Sequence, residues 1–86
     1  MKIIFHHIFK KQYKKLRVGE QHRFKEHRDL FTKNPFHLIL NNHALHGEYR
    51  GYRSINVSGD LRVIYEDIDT ETVQFILIGT HSNLYE

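Results

Sequence analysis

The stretch that decides the fold runs from Tyr52 to Ile78, YRSINVSGDLRVIYEDIDTETVQFILI. It is rich in β-branched and aromatic residues, and polar clusters cut it twice, at Ser58-Gly59 and from Asp67 to Glu71. That pattern predicts three strands, over residues 52–57, 61–66 and 72–78. The links between them are far too short for a parallel crossover, so the strands form an antiparallel meander. A two-residue Ser58-Gly59 turn pairs residue 57 with 60 and 55 with 62. Arg53, Ile55 and Arg62 then share a face, and a slip of one residue separates the two arginines.

N-terminal to this stretch the period changes. Residues 2–6 are apolar-rich and read as an opening strand. Phe9, Tyr13 and Leu16 then fall at i, i+4 and i+7, the spacing of an amphipathic helix over about residues 8–16. Lys10, Lys11, Lys14 and Lys15 fill the rest of its circumference. Val18-Gly19 ends it, and Glu20 opens a second helix with a stripe of Phe24, His27 and Phe31 and with Leu30 beside it. Asn34-Pro35 stops this helix, because the residue before proline is pushed out of the α region. Residues 36–42 fit either a helical turn or an extended connection. From His43 to Tyr52 the composition is that of a loop, with Gly47 and Gly51 as breaks. The expected fold is α+β: an N-terminal strand, two helices, then a three-stranded antiparallel meander. The helices pack on one face of a mainly antiparallel sheet, in one domain over residues 1–86.

A chain of 86 residues buries only about 60% of its unfolded surface, so its stability margin is thin. No apolar run is long enough to cross a bilayer, and residues His6 and His7 interrupt the apolar N-terminus too early for a signal peptide. A cytoplasmic location is expected. With no cysteine, disulfides and thiolate metal sites are excluded. The net charge of +3 conceals an asymmetry: residues 1–33 carry ten Lys/Arg against three Asp/Glu, and residues 34–86 carry three against seven. The basic front half suits RNA or an acidic protein partner, or serves as a solvated face.

Three motifs in the second half belong together: LxGxYxGYR at residues 45–53, GDLRVIY at 59–65 and GTHxxLY at 79–85. In combination they resemble the YafQ-like branch of the RelE toxin superfamily, and the order of elements extends the resemblance over nearly the whole chain. The resemblance implies a type II toxin–antitoxin module. In it, the toxin enters the ribosomal A site and cuts mRNA, and a cognate antitoxin wraps and silences it. Two alternatives are a non-enzymatic blocker of a protein target, as in the ParE branch that acts on DNA gyrase, and a degenerate member that only binds antitoxin.

RNA cleavage without a metal or cofactor needs a base for the ribose 2′-OH, an acid for the leaving 5′-oxygen, and positive charge at the phosphate. Histidine suits both proton transfers, and arginine's planar fork suits the phosphate. By the resemblance, His81 is a catalytic residue, assigned as general acid, and His43 matches the histidine that precedes LxG. Either imidazole fits the role of base. Arg62 matches the strand arginine with which RelE stabilises its transition state. Asp60 matches an active-site position, Arg53 a substrate-holding one, and Tyr85 is placed to stack on a base or orient the hydroxyl. This chain departs from the YafQ pattern at Asn56, where a further histidine is usual, at Ser54, near a usual acidic residue, and at Leu61, where tryptophan is common. His6, His7 and His27 are read as structural. The spacing His43-x-x-His46 lacks a third ligand, so no metal site is expected.

Overall fold

The computed structural model describes residues 1–84, and Tyr85 lies outside them. The elements are β1 (Lys2–Phe5), α1 (His7–Lys14), α2 (Val18–Lys33), β2 (His43–Ala44), β3 (Arg53–Ser58), β4 (Leu61–Asp67), β5 (Thr72–Thr80) and a closing turn of helix, α3 (His81–Leu84). Single 3₁₀ turns occupy Leu38–Leu40 and Gly47–Tyr49. The sheet order is β1-β5-β4-β3-β2. Among the described residues only the β1–β5 pair is parallel; the other pairings are antiparallel. The α+β class, the meander and the two helices on one face follow the sequence. No described helix is long and apolar enough to cross a membrane.

Local details differ from the sequence reading where a side chain does an unexpected job. His6 caps α1, its Nδ1 accepting from the Ile8 N–H at 3.1 Å. The second helix begins at Val18 and takes Gly19 into its first turn, because the Arg17 N–H donates to the Glu20 carboxylate at 3.0 Å. The short strand β2 lies in what reads as loop: it has two exposed residues and so no apolar alternation to signal it.

The largest difference is the register of β3 and β4. The observed pairs are Arg53↔Tyr65, Ser54↔Ile64, Ile55↔Val63 and Asn56↔Arg62, with Ser58↔Leu61 closing the hairpin after an irregularity around Val57. The loop is Gly59-Asp60, one residue later than the sequence suggests. Gly59 adopts φ +47° at its first position, where the twist of a two-residue hairpin favours glycine. Paired residues point the same way. Arg53, Ile55, Val63 and Tyr65 therefore face the helices, while Ser54, Asn56, Arg62 and Ile64 face away. Arg53 and Arg62 do not share a face.

The helix-side face meets an aromatic cluster built around Phe75, which is fully buried. Its ring centroid lies 5.8 Å from Phe5, 5.9 Å from Phe9, 6.0 Å from Phe24 and 5.5 Å from Phe31, in tilted or edge-on contacts. Phe75 thus joins β1, α1, α2 and β5 at one point. Phe75→Ala should cost about 4 kcal/mol, a large part of the roughly 5–15 kcal/mol that holds such a domain together. Urea denaturation followed by circular dichroism checks this, and a loss below about 1 kcal/mol would show that the core does not depend on this ring.

Candidate active site

The face of the sheet turned away from α1 and α2 carries two of the residues singled out for chemistry, His43 and Arg62. Across the register, His43 stands opposite Ser54, Asn56 opposite Arg62, and Arg62 opposite Gly79. Arg62 is half-buried, and its Nη1 donates to the Gly59 carbonyl at 2.8 Å, so the guanidinium folds over its own turn. His81 opens α3, and its backbone N–H donates to the Asp60 carbonyl at 3.0 Å. The β3–β4 turn therefore gathers Asp60, Arg62 and His81 at one end of the sheet. Asp60 takes part through its backbone, and its side chain is exposed. Gly79 is closely covered: an added Cβ would stand 3.3 Å from Leu84 Cδ2, so the leucine would have to give by a few tenths of an ångström where α3 crosses the strand end.

His43 lies on the same face, two strands from Arg62 and two residues further from the turn. Strand spacing and rise put their Cα atoms roughly 12 Å apart, a gap that an imidazole and a guanidinium can span with a phosphate between them. The His43 ring is exposed, and its Nδ1 lies 2.8 Å from the Asn41 carbonyl. A carbonyl only accepts, so Nδ1 carries the proton and Nε2 keeps a lone pair directed elsewhere. Asn41 presents that carbonyl from a left-handed backbone conformation, φ 45° and ψ 48°.

Arg53 is engaged on the opposite face. Its Nε donates to Asn42 Oδ1 at 2.8 Å, and its guanidinium carbon lies 5.3 Å from the centre of the Phe36 ring. Asn42 in turn donates through Nδ2 to Tyr65 Oη at 2.7 Å and to the Pro35 carbonyl at 2.9 Å. Burial pushes the Tyr65 hydroxyl above its usual pKa, opposed by the Asn42 hydrogen bond, with the Asp67 charge adding to the rise. Asn42 passed unnoticed in the sequence; an asparagine beside a candidate histidine was its only signal.

Among the described residues, two polar atoms on the site face lack partners. Ser54 Oγ and Asn56 Oδ1 are buried and accept or donate no hydrogen bond. Other histidines have structural duties: His37 Nδ1 accepts from the Ile39 N–H, and His27 Nδ1 donates to the Arg23 carbonyl. Among the described residues no group of three His, Cys, Asp or Glu side chains could hold a metal ion.

Two stability predictions follow from this polar chemistry. Ser54→Ala removes a buried hydroxyl that bonds to nothing, and should raise stability by about 1 kcal/mol in urea titrations; a loss of similar size would mean that Oγ has a donor. Tyr65 keeps its proton in the folded protein at pH values where the unfolded chain releases it. The folded state then binds more protons, so stability should fall as pH rises from about 10. Tyr65→Phe should flatten that slope, and an unaltered slope would assign it to other tyrosines.

The family model for the bacterial toxin of type II toxin–antitoxin systems, YafQ, matches residues 1–86. No curated relative matches the chain. Among solved structures, YafQ from E. coli strain BL21(DE3) is 24% identical, with a TM-score of 0.79 over 99% of this chain and 98% of that one. The YoeB/ParE toxin from Agrobacterium tumefaciens is 16% identical, with a TM-score of 0.77 over 94% and 99%. The E. coli DinJ–YafQ toxin–antitoxin complex also matches, at 25% identity and a TM-score of 0.75 over 99% and 97%. With the whole chain matched and the fold shared, this protein belongs to the YafQ family of bacterial toxins of type II toxin–antitoxin systems.

Proposed function

We propose that this toxin is a metal-independent endoribonuclease that cuts mRNA in the ribosomal A site of the cytoplasm and is held silent by a cognate antitoxin. The observation that supports this reading is that His43 and Arg62 stand on one sheet face, with the backbone of His81 tied to the turn that precedes Arg62, and that the His43 Nδ1 contact leaves its Nε2 lone pair directed elsewhere. His43 Nε2 takes the proton of the ribose 2′-OH as that oxygen attacks the adjacent phosphorus. The bond from phosphorus to the 5′-oxygen breaks, and His81 gives that oxygen a proton. The products are a 2′,3′-cyclic phosphate and a 5′-hydroxyl end. Arg62 leaves the Gly59 carbonyl and grips the phosphoryl oxygens as their charge grows. Asp60 stabilises the turn that carries Arg62 and His81, and Tyr85 stacks on a base.

A surface suited to the antitoxin lies on the other side of the molecule. Between α1 and α2 lies a pocket of about 350 Å³, floored by Phe9, Tyr13 and Phe24 and rimmed by Lys10, Lys14 and Lys25. Its aromatic rings are packed against one another, at 5.4 Å for Phe9–Phe24 and 5.3 Å for Tyr13–Phe24, and the two phenylalanines are almost wholly buried, which leaves little ring face for a base to stack on. Such a pocket suits an apolar side chain on an acidic segment better than a stacked base.

Expression of the chain in bacteria followed by mapping of mRNA 5′ ends tests the reaction. Cuts at codon boundaries are expected, whereas growth arrest with an unchanged transcript profile and inhibited DNA gyrase would favour the ParE-like blocker. His81→Ala and His43→Ala should each slow cleavage of ribosome-bound mRNA by about 100- to 10,000-fold, and Arg62→Ala by about 100- to 1,000-fold. His81→Ala should still bind antitoxin. Cleavage by purified His81→Ala at the parental rate would remove that residue from the mechanism.

A further inference from the structure

The side chain of Asn42 makes three hydrogen bonds, to Arg53, Tyr65 and the Pro35 carbonyl, although it sits next to one of the weakest elements of the sheet. Strand β2 has only two residues, His43 and Ala44, paired with Ser54 and Arg53. A two-residue edge strand has too few ladder bonds to fix the direction of an exposed side chain. The residues before it do that work. Asn41 holds the carbonyl that receives the His43 Nδ1–H, and Asn42 links that residue to His43. Fixing Asn42 therefore fixes both ends of the hydrogen bond that selects the His43 tautomer. Arg53 is what fixes Asn42 from the strand side: its Nε meets Oδ1 at 2.8 Å, and the Phe36 ring lies 5.3 Å from its guanidinium carbon.

We infer that Arg53 is a positioning residue that acts through Asn42 to hold His43 in the Nδ1–H tautomer, with Nε2 presented on the far face of the sheet. This rests on the reading of His43 as general base. It assigns Arg53 a task quite different from binding RNA, and the geometry agrees, since Arg53 lies on the helix-side face and Arg62 on the other. Tyr65, fully within the core on the same face, anchors the network by accepting from Asn42 Nδ2. The chain of contacts thus runs from the core through an amide to an exposed imidazole. A base held this way meets its substrate already oriented, and loss of orientation alone can cost about 100-fold in rate.

The test uses the full chain and ribosome-bound mRNA. Arg53→Ala and Asn42→Ala should each lower kcat by about 100-fold and leave KM within threefold. Arg53→Lys keeps the charge and lacks the Nε donor, so it should stay as slow as Arg53→Ala; a phosphate-holding arginine would instead be rescued by lysine and would show a raised KM. In a His43→Ala background, Arg53→Ala should cost less than threefold more, and a further loss of threefold or greater would overturn the inference. A second readout does not depend on cleavage. Long-range proton–nitrogen NMR should find His43 protonated at Nδ1 in the parent and as a mixture of tautomers in Arg53→Lys, which is also checked for folding by circular dichroism. An identical His43 pattern in the two proteins would overturn the inference. If the parent cleaves nothing but the tautomer responds to Arg53, the positioning network stands and the nuclease reading falls.

Discussion

The pairing of β3 with β4 controls which side chains of this protein can meet. Side chains alternate across a strand, so a slip of one residue would exchange the two faces of β4 against β3. The observed register buries Ile55, Val57, Leu61, Val63 and Tyr65 against the helices, each nearly inaccessible to water. Burial of such side chains contributes about 1.5–3 kcal/mol apiece, far more than any preference between neighbouring two-residue turns. The hydrophobic face therefore selects the register, and the turn adapts by moving to Gly59-Asp60 and by an irregularity at Val57. Arg62 and Asn56 are carried to the far face as a consequence.

That far face holds polarity at some cost. Ser54 is fully buried with an unpaired hydroxyl, and Asn56 has a buried unpaired oxygen beside Arg62. Each orphan of this kind costs about 1–3 kcal/mol in a domain whose whole stability is only about 5–15 kcal/mol. The aromatic cluster around Phe75 offsets it. Six rings from five elements converge on the other side of the same sheet, and Tyr65 belongs both to that cluster and to the Asn42 network. Core packing and the orientation of the site are thus coupled through one residue.

The charge asymmetry of the chain becomes spatial in the fold. The ten basic residues of the first 33 lie mostly on α1 and α2, on the helix side, while His43, Arg62 and His81 belong to the sheet and its end. The two surfaces share no side chain, so the basic helices and the sheet face are physically separate.

The α+β class, the order of elements and the two helical stripes were legible in the sequence, because alternation at two residues and recurrence at 3.6 are local properties of the chain. Phe9, Phe24 and Phe31 were marked as core by that spacing, and all three are buried. His43, Arg62 and His81 stood out through motif resemblance. What the chain could not disclose was set by contacts between distant residues. The sequence suggested a turn one residue too early, because Ser58-Gly59 and Gly59-Asp60 are both acceptable turns and only burial of a whole strand face distinguishes them. Strand β2 was missed because it is made by pairing and by the Asn42 hydrogen bonds rather than by any apolar pattern. The separation of Arg53 from Arg62 was likewise decided by tertiary structure: two arginines nine residues apart carry no local sign of which side of a sheet they will occupy, and the side follows only when the core closes around their neighbours.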